Sequence, residues 1–272
     1  MASRLPFDLN SQTKPINGSH AKVTTMPGPV TGRTDPKGNV VRNRILLSMS
    51  DHEYGIIAPH LELIEMTNHQ SLHESENGFQ YGYFPNSGLI SLVIEINDGR
   101  SVEVGIVGRE GFVGAPLAAG LECTPYRAIT QAPGATFRVK AEVLQVTFPE
   151  MPELRNRLVR YAVIQGMQVA QLAACNRLHE IDQRLARWLL MCQDRLGDDL
   201  LPMTHEFFAE MLGTGRPTVS VAAAVLQRAG YIQYARGTVK ITDREGLEGA
   251  ACECYRAIRQ LSTDSLAESP KP

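Results

Sequence analysis

Between residues 210 and 230 the chain reads EMLGTGRPTVSVAAAVLQRAG. Its chemistry sits at the front of a helical run: Arg216, Pro217, Thr218, Ser220 and Val221 face outward, while Val219, Ala222, Ala223 and Leu226 form a small apolar inner side. A helix start leaves backbone N–H groups free and carries a positive dipole, which suits phosphate. An arginine there matches the O6/N7 edge of guanine. Thr204 can cap the preceding helix HEFFAEML, Gly213 allows the sharp turn between the two helices, and Pro217 loses no hydrogen bond in a first turn. Downstream, YIQYARGTVKIT places Arg236 at the tip of a tight hairpin and Lys240 on its second strand. Across residues 203–240 the basic side chains Arg216, Arg228, Arg236 and Lys240 outnumber the acidic Glu206 and Glu210. Helix, turn, helix and hairpin make a winged helix-turn-helix, and Thr204, Arg216, Pro217, Thr218, Ser220, Val221, Arg236 and Lys240 are its candidate DNA contacts.

Other chemistries find less support. No Ser/His/Asp or Cys/His arrangement, phosphate-cradling loop or metal spacing can be read, so the chain is not expected to be an enzyme. Cys123, Cys175, Cys192, Cys252 and Cys254 match no zinc pattern and read as reduced structural thiols, with no metal site expected. With 43% hydrophobic and 21% charged residues and a formal charge of −2, the chain is globular and does not coat nucleic acid indiscriminately. The first residues lack the apolar core of a signal peptide and no segment is apolar enough to span a bilayer; a cytoplasmic location follows as the expectation.

The elements that must carry these residues fall into blocks. Residues 1–42 are rich in Pro, Gly, Ser and Thr and read as a disordered tail, as do residues 263–272. NRILLSMSDHEYGIIAPHLELIEM reads as helical, with a Ser50-x-x-Glu53 capping box. From residue 67 the period changes to two. Asn97-Asp98-Gly99 between LISLVIEI and SVEVGIV marks a hairpin, and further Gly-broken strands fill out a β-rich domain over 43–150. A long helix over 151–178 follows. Its seam of Leu158, Tyr161, Gln165, Gln168 and Leu172, at about 3.5-residue spacing, suits packing against a twin, with the chain's own β domain as the other candidate partner. Asn176 to Glu180 should break it, and residues 179–262 hold the winged helix, closed by an Asp243-capped helix REGLEGAACECYRAIRQL.

This order of blocks resembles the Crp/Fnr family of bacterial transcription regulators over about residues 43–260. The stretches carrying the likeness are YFPNSGLISLVIEINDGRSVEVGIVGREGFVG, EIDQRLARWLL and MTHEFFAEMLGTGRPTVSVAAAVLQRAGYIQYARGTVKITDREGL. The resemblance implies an α+β chain: an N-terminal antiparallel β-roll of cyclic-nucleotide-binding type, a dimerisation helix and a C-terminal winged helix-turn-helix. Of the family's Arg, Glu and Arg readers only Arg216 is kept; Pro217 and Val221 hold the other places, implying a different target sequence.

The effector pocket implied by the family falls on Gly111, Phe112, Val113, Arg127 and Ala128. Phe112 replaces the ribose-binding carboxylate and Ala128 the phosphate-binding hydroxyl; Val169 and Ala170, at the purine positions, carry no hydroxyl. At about 1.5–3 kcal/mol per lost charge-assisted contact, cyclic AMP is not expected as a ligand and no cofactor is assigned. The first cysteine is Cys123, so the family's N-terminal iron–sulfur ligands are missing, and His52, His60, His69 and His73 are too scattered to assign haem. The expectation is a homodimeric, sequence-specific regulator binding double-stranded DNA, with the effector open, RNA polymerase left open as a further partner, and no membrane association. The alternative is a small-molecule-binding signalling module whose winged helix contacts a protein.

Overall fold

The computed structural model describes residues 32–75 and 77–266, with side chains as far as residue 262. The expected tails at 1–31 and 267–272 lie outside the described residues. Residues 32–42, read as part of the first tail, are tied to the body instead. The Asp35 carboxylate accepts the N–H groups of Lys37 and Asn39, Thr34 bridges Val40, and Val41 is buried. Short polar side chains can fix such a turn without helix or strand periodicity.

Two short helices follow, α1 (Arg44–Leu47) and α2 (Asp51–Ile57). Asn43 and Ser50 cap them. Glu53 does not complete a capping box: its buried carboxylate accepts the N–H groups of Glu153 and Leu154, both at 2.8 Å, and so caps the long helix 100 residues away. LELIEM, read as helical, is a strand, because a short apolar run fits either period and its partner decides.

Among the described residues, seven strands build the N-terminal domain: β1 (Glu62–Met66), β2 (Ser71–His73), β3 (Tyr81–Pro85), β4 (Leu89–Glu95), β5 (Ser101–Val107), β6 (Arg127–Ala132) and β7 (Gly134–Lys140). They form two antiparallel sheets, ordered β1-β7-β3 and β2-β6-β4-β5. The β4–β5 hairpin turns at Asn97-Asp98-Gly99, where Gly99 has φ +82°. A short helix α3 (Ala141–Thr147) leads into α4 (Pro152–Leu178), which lies across this domain.

Helix α4 stops at His179, and Glu180 caps α5 (Ile181–Leu196) in a capping box with Gln183, so the break expected at 176–180 is present. The C-terminal domain continues through β8 (Leu200–Leu201), α6 (His205–Met211), α7 (Arg216–Arg228), β9 (Ile232–Ala235), β10 (Thr238–Ile241), α8 (Arg244–Ala250) and α9 (Cys254–Leu266). The closing helix is thus split at Ala251–Glu253, and the expected tail at 263–266 continues α9. Helix α9 folds back on α4. That return joins Cys175 at the end of α4 to Cys252 and Cys254 at the split, so three thiols whose sequence spacing matches no metal pattern share one buried cluster.

The two domains share a core as well. Trp188 of α5 packs on Phe207 and Phe208 of α6, while its indole N–H donates 2.7 Å to the buried Glu103 carboxyl on β5. No helix among the described residues is long and apolar enough to cross a membrane.

Candidate nucleic-acid interface

Thr204 accepts the Phe207 N–H at 3.2 Å and so starts α6. The inner face of α6 buries Phe207, Phe208 and Met211. At its end Arg184 donates to the Leu212 carbonyl at 2.6 Å, and Gly213 takes φ +60°, a left-handed value that favours glycine. Helix α7 then begins with no side-chain cap: Gly215 is its N-cap, so the first-turn N–H groups stay open to an anion. Val219, Ala222, Ala223 and Leu226 are all buried, as their spacing predicts.

The outward side carries Arg216, Pro217, Thr218 and Val221, all exposed, and Val221 has 66% of its surface open to solvent. Arg216 reaches Glu206 at 3.6 Å with both side chains largely in water, a pair too weak to hold the guanidinium back. Ser220 does not share this side: its hydroxyl lies 3.1 Å from Nδ1 of His205, whose ring stacks on Tyr234 at 4.0 Å. His205 is a residue that sequence reasoning missed. Burial, helped by the Arg216 charge, lowers its pKa and favours the neutral imidazole. Only its place beside a cap residue hinted at a role.

The wing is the β9–β10 hairpin, closed by Arg236 (φ +48°) and Gly237 (φ +76°). Two positive φ values make the tight turn that matches strand twist, and a non-glycine residue pays for it in steric strain. Arg236 and Lys240 are both exposed.

Of the expected effector residues, Gly111, Phe112, Val113 and Ala128 lie inside the core and Arg127 at its edge. Phe112 is 1% exposed and packs against Phe84 at 4.3 Å; any Cβ at Gly82 would clash with its ring. Gly111 is covered by the Tyr161 hydroxyl, which leaves no room for a Cβ there. Val113 and Ala128 share a small apolar cluster. Arg127 is paired with Glu95 at 2.8 Å and Glu74 at 3.6 Å. At these positions aromatic side chains fill the space and carboxylates neutralise the cation.

The expected seam of α4 turns inward. Leu158 and Leu172 are buried in the chain's own core, Tyr161 covers Gly111, Gln165 faces β5 at Gly105, and Gln168 donates to Ser262 of α9 at 3.0 Å. On the opposite side Val163 (60% exposed), Met167 (50%), Ala170 and Ala174 form an outward stripe at steps of three and four residues.

The Crp-like helix-turn-helix domain family matches residues 183–250. No curated protein matches the chain by sequence. Among solved structures, FixK2 from Bradyrhizobium japonicum has 16% identity and a TM-score of 0.60, covering 71% of this chain and 98% of its own. The c-di-GMP-responsive global regulator CLP from Xanthomonas campestris has 17% identity and a TM-score of 0.59, covering 71% and 99%. A CRP-family transcriptional regulator from Thermus thermophilus has 22% identity and a TM-score of 0.57, covering 69% and 96%. At such identities the likeness is one of fold, and it spans the β-rich domain, the long helix and the winged helix in the same order. Residues 183–250 thus form a Crp-like helix-turn-helix domain, and the chain around it shares the fold of these regulators.

Proposed function

We propose that this protein is a homodimeric transcription regulator that reads double-stranded DNA through α7 and is not switched by cyclic AMP. The observation that carries the reading is the front of α7: an uncapped helix end with Arg216, Thr218 and Val221 exposed, flanked by Arg236 and Lys240 of the wing. Arg216 is suited to a guanine edge, the Val221 methyls to the methyl group of thymine, and the free N–H groups with Arg236 and Lys240 to phosphates. Thr204 and Ser220 serve as framework: one caps α6, the other is held by His205.

The outward stripe of α4 supports two-fold assembly, because small and apolar side chains let two long helices approach closely. This replaces the seam Leu158, Tyr161, Gln165, Gln168 and Leu172 as the dimer face. Phe112 and Ala128 support independence from cyclic AMP, since one fills the ribose position and the other lacks the hydroxyl for the phosphate.

The test is selection from random duplexes followed by fluorescence anisotropy with full-length protein. The expected result is a two-fold-symmetric site, bound with strong salt dependence, and an Arg216→Ala loss of about 1–3 kcal/mol of discrimination at one base pair of each half-site. Selection of no preferred duplex would overturn the reading in favour of a protein-contacting winged helix.

A further inference from the structure

Cys175, His179, Cys252 and Cys254 each turn a ligand atom toward the others, all within 4.8 Å. Cys175 Sγ is 3.5 Å from Cys252 Sγ, and Cys254 Sγ is 3.6 Å from His179 Nδ1. A tetrahedral Zn2+ with bonds of about 2.3 Å to sulfur and about 2.0 Å to nitrogen sets its ligands roughly 3.5–3.8 Å apart. The three thiols are buried and His179 is half-buried, so the donors face one another and not solvent. We propose that these four residues form a structural Zn2+ site of Cys3His type.

The surroundings fit that assignment. His179 turns its other nitrogen, Nε2, to the Glu253 carboxylate at 3.2 Å, the second hydrogen bond that commonly fixes the tautomer and orientation of a metal-bound imidazole. Gln171 donates to Cys254 Sγ at 3.1 Å, as a donor to a thiolate should. Three thiolates, a neutral imidazole and Zn2+ sum to a single negative charge. Arg187 of α5 is buried with its Nε left without a hydrogen-bond partner among the described residues, and it lies within electrostatic reach of Cys175 and Cys252. An iron–sulfur cluster spreads its cysteines over several irons and would need wider spacing than these four atoms allow. Three soft sulfurs and one imidazole in tetrahedral spacing favour zinc over hard cations.

Chain topology gives the site its purpose. Cys175 and His179 lie one helical turn apart at the end of α4, while Cys252, 77 residues on from Cys175, lies in the split between α8 and α9 and Cys254 opens α9. A metal here rivets the long helix to the closing helices of the DNA-binding domain. Binding displaces the three thiol protons into solvent.

The experiment is elemental analysis of full-length protein purified under reducing conditions, followed by exchange of the metal for Co2+. The expected result is about one Zn2+ per chain, replaced by Co2+ with the intense visible bands of a tetrahedral thiolate site. The double variant Cys252→Ser/Cys254→Ser is expected to lose metal at least tenfold, and Cys123→Ser to retain it. Stripping the metal from wild-type protein should lower Tm and re-addition restore it, which keeps the test valid if the double variant does not fold. A folded, reduced wild-type chain with neither zinc nor cobalt bands would overturn the proposal. Stoichiometric metal in a folded double variant, or a Cys175–Cys252 disulfide in protein kept reduced, would do so too.

Discussion

Glu103→Gln is expected to stabilise this protein at alkaline pH and to do almost nothing at acid pH. Glu103 is buried where β5 meets α5; burial, opposed by hydrogen bonds from Ser91 and Trp188 and by the charges of Arg187 and Arg195, pushes its carboxyl up to about 7 from the ordinary 4.5. Proton counting supports a neutral acid independently. The Ser91 hydroxyl lies 2.7 Å from both Glu103 Oε2 and Gln131 Oε1, and its single proton cannot serve two acceptors. A protonated Glu103 resolves this by donating to Ser91, which donates to Gln131, while Trp188 donates to the other carboxyl oxygen. Because the folded chain holds this proton more tightly than the unfolded one, its contribution is complete below about pH 4.5 and is lost as pH rises to about 7. At about 1.36 kcal/mol per pH unit the loss is on the order of 3 kcal/mol. An amide donates to Ser91 and accepts from Trp188 as the neutral acid does, without the ionisation cost. The variant should therefore gain about 3 kcal/mol at pH 8, or roughly 6–12 °C in Tm, and under about 1 kcal/mol at pH 5. Scanning calorimetry of both proteins at the two pH values decides it. An equal gain at both, or a loss at pH 8, would refute the neutral carboxyl.

Arg236→Asn relieves a strained left-handed residue, so Tm should hold or rise, while the slope of log K against log salt for the selected duplex should fall by about 0.9 per half-site. A drop in Tm with an unchanged slope would remove Arg236 from the interface. Met167→Glu places a charge on the outward stripe of α4 and should give a folded monomer by analytical ultracentrifugation, with at least tenfold weaker binding to the symmetric site; an intact dimer would refute the stripe. Phe112→Ala empties a buried ring position and should cost about 3–5 kcal/mol in chemical denaturation; a cost below about 1 kcal/mol would mean that the ring does not fill this core.

Legibility in the sequence followed the range of the forces involved. The winged helix could be read because its signals are local: the Thr204 cap, the left-handed Gly213, and small residues on one side of α7. The Asn97-Asp98-Gly99 turn was readable for the same reason. On α4 the most apolar side was legible, but not what it faces. Leu158 and Leu172 serve the chain's own core, while the outward stripe of Val163, Met167, Ala170 and Ala174 is too weakly apolar to stand out. Ser220 and His205 became partners only through the packing of α6 on α7. The thiol cluster was hidden because Cys175 and Cys252 meet only through the return of α9 along α4, a long-range event that local spacing does not record.

Trp188 is the single tryptophan of the sequence, and it stands where the β-rich domain touches the winged-helix domain. Its indole is held dry by Phe207 and Phe208 on one side and tethered to Glu103 on the other. Any swing of the head that parts α5 from β5 must wet that ring and break its tether, shifting its emission to longer wavelength. The protein thus carries a built-in fluorophore where these two parts meet, and any parting of them would be read in solution without attaching a dye.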